Sequence, residues 1–202
     1  MPRTALSMIG LLALSACSFS ASQTARTNGK GNYQIGVEPG ALIGGVGGLG
    51  VAVGPQLDIG FRYGITDRAD VGARLGTAGL ELQYKQQLTG DDGVIVSVAP
   101  ALTGFFGAVG GVEGGFVSLP VSLLVDVPVG ESALVLGPRV HPTLALGGGQ
   151  GGFGLNVGAS VGFAAKLSDG FKLMPDVAVS VPVSGGGLVT QAKLNFLVGK
   201  TK

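Results

Sequence analysis

From Asn32 onward, apolar side chains recur at every second position of the chain. A two-residue period is that of a β-strand with two different faces, whereas a helix would scatter these side chains around its axis. The clearest example is 51–63, where one face carries Val51, Val53, Pro55, Leu57, Ile59, Phe61 and Tyr63. The alternation predicts ten strands, at 33–41, 51–63, 69–76, 79–88, 94–103, 116–129, 133–146, 153–167, 171–182 and 188–199.

The connections between these strands fall into two kinds that alternate along the chain. Short polar turns occupy 64–68, 89–93, 130–132 and 168–170, and they contain the Asp, Gly and Ser residues that favour tight turns. Glycine-rich and mostly longer loops occupy 42–50, 104–115, 147–152 and 183–187. Alternating short and long connections are typical of an up-and-down antiparallel barrel whose two ends face different compartments.

The two faces of the predicted strands differ in a way that favours a membrane barrel. The apolar face of all ten strands carries no Asp, Glu, Lys or Arg, and the other face is mainly Gly, Ala and Ser with about a dozen charges. A soluble surface carries many more charged side chains than this. We therefore predict an all-β, up-and-down antiparallel transmembrane barrel of about ten strands over 32–199. The alternative is a soluble or peripheral β-sandwich that serves as a binding or envelope-organising module.

The composition excludes several other classes of protein. The chain is 46% hydrophobic with a formal net charge of +1, which does not suit a disordered chain, and its 39 glycines do not recur at every third position as collagen requires. One cysteine and one histidine cannot form an internal disulfide or a zinc site. Without a basic cluster we expect no nucleic-acid partner. We predict no cofactor and no metal.

The N-terminus has the pattern of an export signal. Residues 1–16 combine Arg3 with an apolar run that is too short to span a bilayer and ends in small residues. The tetrapeptide Leu14-Ser15-Ala16-Cys17 resembles the lipobox of bacterial lipoproteins. The resemblance implies cleavage between Ala16 and Cys17 and attachment of fatty-acid chains such as palmitate at Cys17. Residues 17–31 are then a lipidated N-terminus and flexible tether. The alternative is an ordinary signal peptide cut near Ala21 or Ala25.

The stretch 61–76, with an aromatic residue before the turn and Thr66-Asp67-Arg68 inside it, resembles the strand-turn-strand unit of Gram-negative outer-membrane β-barrel proteins. The resemblance implies an outer-membrane location with both termini in the periplasm. Under the lipoprotein sorting rule, Ser18 after the cysteine also implies the outer membrane. The expected partners are outer-membrane lipid and the barrel-assembly and lipoprotein-sorting machineries, with a monomeric protein. The chain departs from the family in lacking a terminal aromatic residue. Prolines inside the predicted strands also predict local irregularities, namely Pro55, Pro100, Pro120, Pro138, Pro142 and Pro175.

The inward faces carry nearly balanced charges that are candidates for a lumen network. A mutually neutralising set of ion pairs is one interpretation, and a narrow polar pore whose charges set ion preference is the other. His141 lies on the same face and would serve as general base if the protein were a membrane-embedded hydrolase, but no surrounding pattern supports this, so we predict no enzyme activity. The predicted lumen residues are Glu38, Asp58, Arg62, Asp70, Arg74, Glu81, Lys85, Asp126, Arg139, His141, Lys166, Lys172, Asp176 and Lys193.

Overall fold

The computed structural model describes residues 20–46, 51–77, 79–109, 112–147, 152–183 and 187–201. Within these ranges the chain forms eleven antiparallel β-segments and no helix that is long and apolar enough to cross a membrane. The segments are β1 (Tyr33–Val46), β2 (Val51–Thr66), β3 (Ala69–Gly76), β4 (Gly79–Gln87), β5 (Ile95–Val109), β6 (Val112–Ser118), β7 (Val121–Val129), β8 (Ser132–Gly147), β9 (Gly152–Ser168), β10 (Phe171–Pro182) and β11 (Gly187–Lys200).

The segments close into a barrel with ten strand positions. Apart from β6 and β7, consecutive strands pair with each other, and β1 pairs with β11, so the sheet has no free edge. β6 and β7 together fill one position between β5 and β8. Pro120 separates them because it has no N–H to donate. The register continues across the break, with Ser118 opposite Thr143 and Val121 opposite Val140. The predicted ten-stranded up-and-down barrel is confirmed.

The strands extend further into the glycine-rich end than the sequence predicts. Residues 104–115 were expected to form a loop, but β5 and β6 pair from Thr103 opposite Ser118 to Val109 opposite Val112. Their inward-facing Phe105 and Phe116 stack with ring centroids 6.2 Å apart. The loop prediction was wrong because glycine in these positions does not prevent pairing, and alternation is hidden where small residues occupy both faces.

The barrel is apolar outside and polar inside. Large apolar side chains are exposed along every side of the barrel, as for Ile59, Val161 and Val177, which are each more than half exposed. The interior instead buries carboxylates, amides, ammonium and guanidinium groups. This distribution is the reverse of that in a soluble β-sandwich and matches a strand surface in contact with lipid. A closed single sheet is also not a two-sheet sandwich, so that alternative architecture is wrong.

The two bulges of the barrel lie at its short-turn end, which we call the short-turn rim. The register shifts between Gly64 and Thr66 in β2 and between Phe171 and Lys172 in β10. Neither shift coincides with a proline. The strands therefore accommodate their prolines without changing which residues face inward.

Candidate functional site in the barrel lumen

The middle of the lumen is crossed by a chain of ion pairs, which we call the central charge cluster. Lys193 contacts both Asp58 and Glu38, the latter at 3.2 Å. Arg74 lies 3.3 Å from Glu38 and 2.8 Å from Glu81. All five side chains are buried. Because each charge has an opposite charge within ion-pair distance, the cluster offsets the high cost of removing these groups from water.

The strand register brings the members of the central charge cluster together. Glu38 lies opposite Asp58 in the β1–β2 pair, and Arg74 lies opposite Glu81 in the β3–β4 pair. Two glycines provide the necessary space. A Cβ at Gly76 would overlap the Asp58 carboxylate, and a Cβ at Gly40 would overlap the Lys193 side chain and the backbone beside it. These inward glycines therefore make room for neighbouring side chains and do not widen an open pore.

Residues 20–28, which we call the lumen segment, lie inside the barrel. Every residue of the segment except Arg26 is buried. The chain leaves the lumen at the short-turn rim, where Gly31 donates a hydrogen bond from its N–H to the Gly64 carbonyl at 2.9 Å before β1 begins. The expectation of a flexible tether over 17–31 is therefore wrong for the described residues 20–31. Its small Ser, Ala and Thr side chains fit a narrow lumen as well as they suit a linker.

Three charged groups of the wall hold the lumen segment near the short-turn rim. Asp126 accepts the backbone N–H groups of Ala25 and Arg26 at 2.7 and 3.1 Å. Asp70 accepts the N–H of Asn28 at 3.1 Å. Lys85 lies 3.0 Å from Asp70 and also donates to backbone carbonyls of the segment. The predicted lumen charges thus bind the N-terminal chain itself.

Two further arginines also face the lumen. Arg62 is 3.5 Å from the Gln83 amide oxygen. Arg139 donates to the Ser122 hydroxyl and, at 3.4 Å, to the backbone carbonyl of Ser20. Polar wall groups therefore extend from the central charge cluster to the lumen segment.

Two predicted lumen charges, Asp176 and Lys172, take no part in the ion pairs of the central charge cluster. Asp176 is buried and forms no ion pair within 4.0 Å among the described residues. Lys172 is half-buried and lines a cavity of about 130 Å³ at the short-turn rim, together with Arg26 and Asp126. At this cavity the lumen segment reaches solvent through Arg26, the one residue of the segment that is not buried.

The assignment of Lys166 to the lumen was wrong. Its side chain is 31% exposed and lies 2.9 Å from Asp169 and 3.7 Å from Glu131, both in turns of the short-turn rim. Ala164 is the last residue of β9 paired with β8, so Lys166 is paired only with Lys172 of β10 and lies at the rim, where its side chain reaches solvent. Without Lys166 the predicted lumen charges comprise six acidic and six basic residues, which balance.

His141 lies in the wall and is nearly inaccessible. Its Nε2 is 3.0 Å from the Ser118 hydroxyl oxygen, and both side chains are at most 2% exposed. A Ser-His contact is one part of a hydrolytic site, but a nucleophile must also reach its substrate. The described residues contain no group of three or more His, Cys, Asp or Glu side chains able to hold a metal ion. The predicted modification site, Ala16 and Cys17, lies outside the described residues.

Sequence reasoning missed the polar wall groups that bind the lumen segment through uncharged side chains. Gln87, Gln191 and Ser97 are buried and each contacts the segment's backbone. All three lie on the inward face of their strands, so the alternation does place them correctly. Their role could not be predicted because the sequence gives no sign that a chain lies inside the barrel.

Comparison with known proteins gives structural likenesses only. No family model matches the chain, and no curated protein matches its sequence. Neisserial surface protein A is similar over 84% of this chain and 99% of its own, with 13% identity and a TM-score of 0.46. The translocator domain of the autotransporter NalP from Neisseria meningitidis is similar over 87% and 90%, with 13% identity and a TM-score of 0.48. The outer membrane protein OprG from Pseudomonas aeruginosa is similar over 88% and 97%, with 15% identity and a TM-score of 0.33.

Proposed function

We propose that this protein is an outer-membrane β-barrel lipoprotein with a structural role, whose lumen is closed to solutes. The observation that carries the proposal is the filled lumen. The central charge cluster crosses the middle of the barrel, and the lumen segment runs from the short-turn rim to Gln191, two residues beyond Lys193 on β11. A barrel of this width has little interior volume beyond what side chains fill.

The proposed location and lipid anchor have separate support. An apolar outer surface on a closed sheet suits a bilayer, where every backbone N–H and C=O must be satisfied within the protein. A β-barrel that is exported through a signal peptide and has an apolar outer surface is suited to the outer membrane. Cleavage before Cys17 keeps the whole lumen segment, whereas cleavage near Ala25 would remove the buried residues Ser20 to Thr24. The burial of these residues therefore favours the lipoprotein cleavage site, and the sorting and assembly machineries remain the proposed partners.

Conductance in planar bilayers tests the closed lumen. The mature full-length protein is expected to insert without discrete current steps, and slower gel migration after heating would verify that the sample holds a closed barrel. Reproducible steps from that sample would refute the structural role. Radiolabelled palmitate incorporation, with Cys17→Ser as the control, separately tests lipidation.

A narrow channel is the second candidate function. It is favoured by the fact that the lumen segment is held by side chains of the wall and does not join the sheet as a strand. Removal of the segment would leave all ten strand positions in place. The test compares the conductance of a variant lacking residues 20–28 with that of the full-length protein. If only the variant conducts, the barrel without its lumen segment is a channel.

A further inference from the structure

The wall recognises the backbone of the lumen segment at both of its ends. Gln191 accepts the N–H of Ser20 at 2.7 Å, and Gln87 accepts the N–H of Thr27 at 3.1 Å. Together with Asp126 and Asp70, these side chains bind five backbone N–H groups. Backbone N–H groups are present in every residue except proline, so contacts of this kind place few demands on sequence.

The backbone carbonyl groups of the segment are bound in the same way. Lys85 donates to the carbonyl oxygens of Thr24 and Arg26 at 3.1 and 2.8 Å. Ser97 donates its hydroxyl to the Ala25 carbonyl. The wall thus supplies acceptors and donors alternately along one chain, as a peptide-binding groove does.

The side chains of the segment are limited by size, and some add polar contacts: Thr27 donates its hydroxyl to the Asp67 carbonyl at 2.8 Å, and Arg26 donates to the Asp91 carbonyl at 3.0 Å. Ala25 is fully buried, and Ala21 is 3% exposed, with its Cβ 3.4 Å from the position of a Cβ at Gly137. Gln23 is fully buried, yet neither polar atom of its amide has a hydrogen-bond partner among the described residues. The site therefore fits the backbone and small residues, while the Gln23 side chain is a poor match for its surroundings.

We propose that this part of the lumen is a binding site for a polypeptide segment with small side chains, and that it accepts such a segment in trans when residues 20–28 are absent. The lumen segment is the ligand that occupies the site in this structure. The proposal concerns ligand binding and holds whether the barrel is structural or a channel. The ligand in trans is the same segment of a second copy of this chain.

Binding of a fluorescent peptide with the sequence of residues 20–28 tests the proposal directly. The receptor is a barrel lacking residues 20–28, shown to be folded by heat-modifiable migration. We expect saturable binding and a rise in fluorescence anisotropy. A peptide with Ala25→Leu should bind at least about tenfold more weakly because it does not fit, whereas one with Gln23→Met, which loses no hydrogen bond, should bind at least as tightly as the original.

Wall variants distinguish lumen binding from adsorption to the barrel or its detergent. Asp126→Asn replaces an acceptor of two N–H groups by a side chain that also carries a donor, and should weaken binding at least about tenfold. Lys166→Met, outside the lumen, should leave it unchanged. A folded receptor that binds no peptide, or that binds the Ala25→Leu peptide equally well, overturns the proposal.

The full-length chain provides a measurement that does not depend on the deletion. Ser22→Cys in a Cys17→Ser background places one thiol at a fully buried position of the segment. We expect slow maleimide labelling in the folded barrel and at least about fivefold faster labelling with excess peptide, because the peptide occupies the site when the segment leaves. A labelling rate that excess peptide does not change overturns exchange in trans.

Discussion

The central charge cluster and the lumen segment site use the same kinds of charged side chain for different purposes. In the cluster, Lys193 binds both Glu38 and Asp58, so strands β1, β2 and β11 are joined through their side chains. In the segment site, Asp126 and Lys85 bind backbone groups of a chain that is not part of the wall. A buried charge can thus hold the barrel together or hold a ligand inside it. Substitutions in the two regions should separate barrel stability from segment release.

The largest effect is expected for Lys193→Met. The substitution leaves the buried Glu38 and Asp58 carboxylates without their shared ammonium partner, and removing one partner of a buried ion pair typically costs about 3–5 kcal/mol. The midpoint of urea unfolding, followed by heat-modifiable migration, should fall accordingly. Lys166→Met is the matched control, and its exposed ion pairs should contribute nothing measurable. An unchanged midpoint for Lys193→Met would mean that the cluster does not stabilise the barrel.

Ala25→Leu should release the lumen segment without unfolding the barrel. Ala25 is fully buried, and overpacking a filled site typically costs about 1–3 kcal/mol. We expect faster proteolysis between residues 20 and 28 at an unchanged urea midpoint. Lys30→Ala, at an exposed position, is the control. A lowered midpoint with no change in proteolysis would show that the segment and the barrel form a single cooperative unit.

Gly76→Ala should destabilise the barrel by about 1 kcal/mol, the lower end of the range for overpacking. The new Cβ would overlap the Asp58 carboxylate and lie 2.8 Å from the Asp58 Cα, so side-chain movement alone cannot relieve the contact. Gly54→Ala is the matched control on the neighbouring strand, since a Cβ at Gly54 meets nothing within 4 Å. Equal urea midpoints for the two variants would contradict the view that Gly76 makes room for the cluster.

The smallest effect is expected for Gln23→Met, which should strengthen retention of the segment. Replacing the buried and unpartnered amide with an apolar side chain of similar length removes a desolvation cost of about 1 kcal/mol. Protease cleavage of the segment should slow by about fivefold. Faster cleavage would show that the amide has a favourable role in the lumen.

The sequence predicts the barrel well because strand alternation assigns each residue to a face. That alternation correctly placed the ion-paired residues Glu38, Arg74 and Lys193 inside the barrel. It failed at Lys166, which lies at the rim where β9 is no longer paired with β8. It also failed at the glycine-rich end, where strands such as β5 and β6 continue through residues too small to show two faces. The two-residue period shows which face of a strand points inward only where one face borders the lumen and the side chains of the two faces differ in polarity.

The lumen segment was missed for a different physical reason. A stretch rich in Ser, Ala, Thr and Asn has the composition of a solvated linker, and the same small side chains pack in a narrow interior. What distinguishes the two states is the set of partners on distant strands, such as Asp126 on β7 and Gln191 on β11. Local composition contains no information about those long-range contacts.

The depth of Ser20 in the barrel would set the proposed lipid anchor in competition with lumen binding. Ser20 is bonded to Gln191, which lies nine residues from the end of β11, or about 20 Å from the short-turn rim along a tilted barrel axis. Three extended residues span only about 11 Å, so Cys17 cannot reach that rim while Ser20 keeps its bond. Acyl chains on Cys17 would enter the leaflet at the short-turn rim only after the segment has been withdrawn. The bilayer would thereby compete with the wall for the N-terminus: the proposed closed barrel is the state in which the wall holds the segment, and stronger lipid insertion would favour the emptied barrel.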